Sequence, residues 1–184
     1  MNKRKLRKRS TAVLLAVLMI FASGGCGKPA ESAAEEKITL DFFAPDAAFE
    51  VAVTVAHMYS TYYPGVEVRI TYDEGATLAA MIEAGYRCDV YLSDDPLYMN
   101  WLDGNVTGSA NPNENDLLLQ ESRLDLMTKP SSEEGSEERI AIYSLAAVNT
   151  SPHPQEAAKF VSYMADGSCD PVYSEYGFTR ISEE

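Results

Sequence analysis

Five carboxylates stand where this sequence could do chemistry: Asp46, Asp73, Glu74, Asp94 and Asp95 each fall where an apolar run gives way to a turn. Gathered together, such groups would hold a cation or work as an acid/base pair. Their surroundings argue for neither. No His or Cys falls at metal-ligand spacing from them, and they read as helix caps and a solvated acidic rim. His57 lies inside a helical run and His153 precedes a Pro, which suits structural roles better than catalytic ones. No G-x-S-x-G, P-loop or H-E-x-x-H string occurs. The expectation is a protein that is not an enzyme and needs no cofactor or metal. Its net charge of −13 repels nucleic acid as a partner.

What remains for binding is the backbone. Residues 73–95, DEGATLAAMIEAGYRCDVYLSDD, organise the chain. Leu78, Ala79, Met81 and Ile82 carry a helical period, Gly85 stops it, and Val90, Tyr91 and Leu92 read as a strand covered on both faces. The loop Asp73-Glu74-Gly75-Ala76-Thr77 then opens onto a helix N-terminus, where an open α/β sheet offers N–H groups to a ligand.

The elements that must position this loop follow from pattern. KITLDFF, residues 37–43, reads as a first strand. A helix runs from Asp46 to about Tyr62, Pro64-Gly65 turns, and residues 66–70 alternate as a second strand. Strand, helix, strand calls for a parallel pair with a right-handed crossover. Beyond helix 76–84 and strand 88–93, Asp95-Pro96 starts a short helix through Trp101. A polar loop follows, then a long strand across 117–128, an acidic linker over 129–138 and a returning strand over 139–148. Pro154 and Pro171 open two more helices, the last ending on Gly177. The fold class is α/β, a mostly parallel sheet with flanking helices. Tyr59, Tyr62, Tyr63 and Tyr72 fit packing at its edge.

Residues 1–25 form a secretory signal, with six basic residues ahead of an apolar run over 11–22 that is too short for a membrane span. Without it, nine basic residues face 28 acidic ones. Ser23-Gly24-Gly25-Cys26 resembles the bacterial lipoprotein lipobox, although Ser23 replaces the usual Leu. The resemblance implies a lipid on Cys26 and a membrane anchor on the extracytoplasmic face. An ordinary cleaved signal is the other reading. Residues 26–36 supply a small, polar tether, and 37–184 suit one domain. Cys88 and Cys169 leave two readings open, a disulfide or two apolar fillers.

Thr77-Leu78, Ile82-Glu83-Ala84-Gly85, Asp89-Val90-Tyr91-Leu92-Ser93 with Asp95, Met99 and Trp101, then Pro154-Gln155-Glu156-Ala157-Ala158-Lys159-Phe160 and Tyr176-Gly177-Phe178, stand in a telling order. Through them residues 38–102 and 140–179 resemble the molybdate-binding subfamily of ABC-transporter substrate-binding proteins, bilobed receptors of the type II periplasmic-binding-protein fold. The resemblance implies a molybdate or tungstate ligand and an ABC permease as partner. It places ligand-facing backbone at Ala44, Pro45 and Asp46, where Pro45 offers no N–H, and at Gly75, Ala76 and Thr77. Two departures stand out. Pro45 and Gly75 occupy positions where the family carries hydroxyls. The strands near 117–128 and 139–148 are joined by only about ten residues, so most of the second lobe is missing and one lobe with two hinge strands remains. A lobe so reduced also suits a module that binds a partner protein or a second copy of itself.

Overall fold

Buried apolar residues on both faces of β1 (Ile38–Pro45) show how the chain is layered. Leu40, Phe42 and Ala44 point into one core, and Phe43 points into another on the opposite face. A strand buried on both sides needs helices above and below it. The computed structural model describes residues 37–103, 119, 123–131 and 139–181. The signal, the tether and Cys26 lie outside the described residues.

The element order after β1 is a single 3₁₀ turn at Asp46–Ala48, then α1 (Phe49–Tyr62), β2 (Val66–Asp73), α2 (Gly75–Glu83), β3 (Val90–Ser93) and α3 (Pro96–Leu102). There follow β4 (Leu124–Ser131), β5 (Arg139–Ala147), α4 (Pro154–Ala165), α5 (Asp170–Glu175) and β6 (Thr179–Arg180). They build a six-stranded sheet in the order β2-β1-β3-β5-β4-β6. The β2-β1-β3 part is parallel, and the joins from β3 through β5 and β4 to β6 are antiparallel. The hinge strands thus form a hairpin, with β4 continuing through Lys129, Pro130 and Ser131, which the sequence assigns to the linker. Of the strand expected across 117–128, residues 124–128 lie in β4 and Leu119 makes an isolated bridge to Val148, while 117, 118 and 120–122 lie outside the described residues.

Helix α1 presents Val51, Ala52, Val55 and Tyr59 to the first core, where α4 adds Ala157, Phe160, Val161 and Met164. Phe160 is the hinge of this layer, its ring edge-on to Phe42 at 5.2 Å and tilted on Tyr59 at 4.8 Å. Burial pushes the Tyr59 hydroxyl up to about 12. Helices α2 and α3 cover the opposite face with Leu78, Ala79, Ile82, Met99 and Leu102. The sheet therefore separates the two thiols: Cys88 sits in the second core and Cys169 in the first. Both are free and buried, and a disulfide between them is excluded by geometry.

A polar clasp closes the sheet where β3 begins. Asp89, fully buried, accepts the Asp41 N–H at 2.7 Å and the Ser151 hydroxyl. Its own N–H donates to Asp41 O and its carbonyl accepts from Val148 N, so one residue ties β1 to the end of β5. Asp41 in turn pairs with Arg69 at 2.6 Å and Arg87 at 3.0 Å. Two buried carboxylates are tolerable because every oxygen faces a donor or a guanidinium.

Candidate binding cleft at the carboxyl edge of the sheet

The three parallel strands end together. Ala44 lies opposite Tyr72 and Pro45 opposite Asp73, so the loops holding the two expected binding segments leave adjacent strands at one edge. Ala44 and Pro45 are buried, while Asp46 is exposed as the first residue of the 3₁₀ turn. Asp46 makes no capping bond, contrary to its expected role; Pro45 holds the cap position. Gly75 is buried at the first position of α2, with Ala76 and Thr77 exposed beside it. No side chain caps this helix, since Asp73 spends its carboxylate on Glu74 N at 2.7 Å. In α3, by contrast, Asp95 accepts Leu97 N at 2.8 Å, a cap of the ordinary kind.

Beside these loops lies a cleft of about 460 Å³, walled by Ala47, Asp94, Asp95, Tyr98, Lys129, Pro130, Ala141 and Tyr143. The hinge hairpin supplies its far side. Lys129 stands over the Phe178 ring at 4.4 Å, and Phe178 meets Tyr143 edge-on at 5.0 Å, which fixes the cleft's one cation among its lining residues. Burial, with the Asp94 charge nearby, pushes the Tyr143 hydroxyl up to about 12.

Asp94 separates this cleft from α2. Its carboxyl lies on the Cα of Gly75: a Cβ built there would overlap Asp94 Oδ1 and come within 3.2 Å of both Asp94 Cγ and Tyr98 Cε2. The Oδ1 atom is buried and has no hydrogen-bond partner. Burial, and then the charge of Asp95, raises the Asp94 carboxyl above the usual range against the pull of its own backbone N–H. Among the described residues no cluster of acids, His or Cys could hold a metal, and the acidic residues here act as a cap, a loop brace and a wall.

Sequence reasoning named the strand ends but missed Tyr98, Lys129 and Tyr143. Nothing local in the sequence brings the hairpin against β3; only the order of the sheet does. Gly75 carried a signal, since a glycine at a helix start is compatible with a close approach by another group, here the Asp94 carboxyl. A hollow of similar size, about 490 Å³, lies along the outward face of α4 between Tyr63 and Asp166 and involves none of these loops.

A family model described as bacterial extracellular solute-binding protein matches residues 40–138. No curated protein matches the chain. Among solved structures, a substrate-binding domain from Clostridium difficile assigned to a molybdenum ABC transporter is similar at 12% identity and a TM-score of 0.64, over 79% of this chain and 100% of that one. The periplasmic molybdate-binding protein of Azotobacter vinelandii aligns at 10% identity and 0.58, over the same shares. The sulfate-binding protein SubI of Mycobacterium tuberculosis H37Rv aligns at 12% and 0.52, over 79% of this chain and 87% of that one. At such identities the likeness speaks for the fold, and the six-stranded sheet with its helices matches one lobe of a periplasmic-binding-protein fold.

Proposed function

This chain belongs to the bacterial extracellular solute-binding proteins, and from that premise we propose that it captures a small oxyanion for an ABC importer. The ligand class is that of molybdate and tungstate. The partner is the importer's permease, and the protein works outside the cytoplasm, held to the cell membrane by a lipid on Cys26. It performs no chemistry on its ligand.

The observation that carries this reading is the start of α2. Its first N–H groups, at Gly75, Ala76 and Thr77, are left without a side-chain cap at the carboxyl edge of parallel strands, beside a cleft with a fixed lysine. Backbone donors at a helix N-terminus, reinforced by the helix dipole, stabilise an anion without needing a hydroxyl. Equilibrium dialysis of the full-length chain against labelled molybdate, tungstate and sulfate tests it. Saturable binding of at least one is expected, and no uptake at millimolar anion refutes it.

A second reading, a module that docks on a partner protein or on its own copy, is favoured by one feature. Ile140, at the start of β5, is 69% exposed on the hinge hairpin, where a lost lobe would have stood. Light scattering that finds only monomer, with no partner recovered by crosslinking, would dismiss it.

A further inference from the structure

We propose that β2 is a docking edge for a second copy of this chain, the two β2 strands pairing antiparallel about a two-fold axis at Val68 and joining the two sheets into one. This edge is separate from the cleft and from the hinge hairpin, so the inference does not rest on the oxyanion reading.

The sheet has two margins, and they are finished differently. At one, β6 is only two residues long and leaves little to pair with. At the other, β2 runs for eight residues without a proline and holds one unbroken register against β1. Ile38 N donates to Gly65 O, so in this parallel ladder the odd-numbered residues of β2 bond to β1 and the even-numbered ones turn their N–H and C=O outward. No strand among the described residues takes up the outward groups of Val68 and Ile70. A long, flat edge of this kind is a template for another strand.

The side chains say which strand fits. Two identical edges that close on each other about a two-fold axis run antiparallel. With the axis at Val68, Glu67 of each copy lies opposite Arg69 of the other, at non-hydrogen-bonded positions where facing side chains come closest. On the other face Val68 meets Val68 and Val66 meets Ile70, and all three residues are only partly buried where they pack on the first core. An axis at residue 67 would set Glu on Glu, at 69 Arg on Arg, and at 70 Glu67 on Asp73, so charge selects a single register. Arg69 can take a second carboxylate: Nε and Nη2 are engaged by Asp41, Nη1 bonds nothing among the described residues, and the side chain is 64% exposed. Glu67 is held only by Lys37 at 3.6 Å, a surface pair that yields at little cost.

The test is sedimentation equilibrium of the full-length chain carrying Cys26→Ser, over about 1–100 μM. A monomer–dimer equilibrium within that range is expected. Glu67→Arg sets like charges opposite each other twice and should weaken association at least about tenfold, and Arg69→Glu should do the same. An equimolar mixture of these two restores opposite charges at both positions and should associate about as strongly as the parent. Val68→Pro deletes the outward N–H on the axis while sparing the ladder to β1, so it should also weaken association at least about tenfold, and it serves where Arg69→Glu fails to fold beside Asp41. Ile140→Asp, on the hinge hairpin, should change nothing. A parent that stays monomeric throughout overturns the inference. So does parental association in either Glu67→Arg or Val68→Pro, each checked as folded by circular dichroism, or failure of a folded charge-swapped pair to associate on mixing. Loss of the dimer in Ile140→Asp moves the contact to the hairpin and overturns it equally. The anion dialysis above reads the oxyanion proposal separately in every case.

Discussion

Asp89→Ala should cut the stability of this protein more than any other single change to a polar residue described above. The substitution strands two donors in a place water does not reach: the Asp41 N–H, bonded at 2.7 Å, and the Ser151 hydroxyl. Each orphaned buried donor costs about 1–3 kcal/mol. Arg87 adds little, because it is half-exposed and keeps Asp41 at 3.0 Å and the Thr39 carbonyl at 2.8 Å. The loss is about 3–5 kcal/mol, which is also the range for breaking a buried charged network. Asp89→Asn keeps one acceptor, and the Ser151 hydroxyl can turn to accept from the new amide, so it should lose only about 1–2 kcal/mol. Urea denaturation followed through Trp101, the single tryptophan, carried by α3 and half-buried against the second core, reads both. With a slope of roughly 1–3 kcal/mol per molar, the Ala midpoint should fall by about 2 M. If Asp89→Ala stays within about 1 kcal/mol of wild type, the clasp is not what binds β1 to the end of β5.

Other expectations are equally direct. In a Cys26→Ser background, Cys88 and Cys169 should resist a thiol reagent until denaturant is added, because both are buried and burial raises both thiols; rapid native labelling would contradict this. Gly75→Ala should destabilise by about 1–3 kcal/mol, as its Cβ must displace the Asp94 carboxyl and the Tyr98 ring; a neutral result in a thermal melt would show that Asp94 yields freely. Phe160→Ala should cost about 3–5 kcal/mol, since the rings of Phe42 and Tyr59 lose their common partner, again read by urea midpoint. Asp94 has its folded-state pKa raised, so the native protein binds this proton before the unfolded chain does, and its charge opposes folding at neutral pH. Asp94→Asn should therefore be the more stable form at neutral pH. That advantage should shrink as pH falls through the raised pKa and vanish below 3.8, the ordinary value; an advantage independent of pH would contradict the assignment.

Local pattern was enough to read the parallel half of the molecule. Leu78 to Ile82 with Gly85 announces α2, and the structure places that helix at Gly75–Glu83 with Gly85 at φ +84°. Gly177 likewise ends the last helix at φ +78°. Strand β2 runs three residues beyond its alternating stretch, to Asp73, because pairing with the whole of β1 carries it on where sequence alternation fades. The two residues of β6 pair with β4 across some fifty positions and leave no local trace. The cleft follows the same division. Its floor, at the strand ends, is written in short segments, whereas its far wall depends on a hairpin folding back beside β3, and long-range pairing of that kind has no periodic signature.

The clasp and the cleft sit at opposite ends of β3, one before Val90 and the other after Ser93. Fastening and recognition therefore draw on separate residues. Substitutions in the loops beyond Ser93 leave the hydrogen bonds of the tie at the far end untouched, so whatever they cost is confined to their own end of the strand.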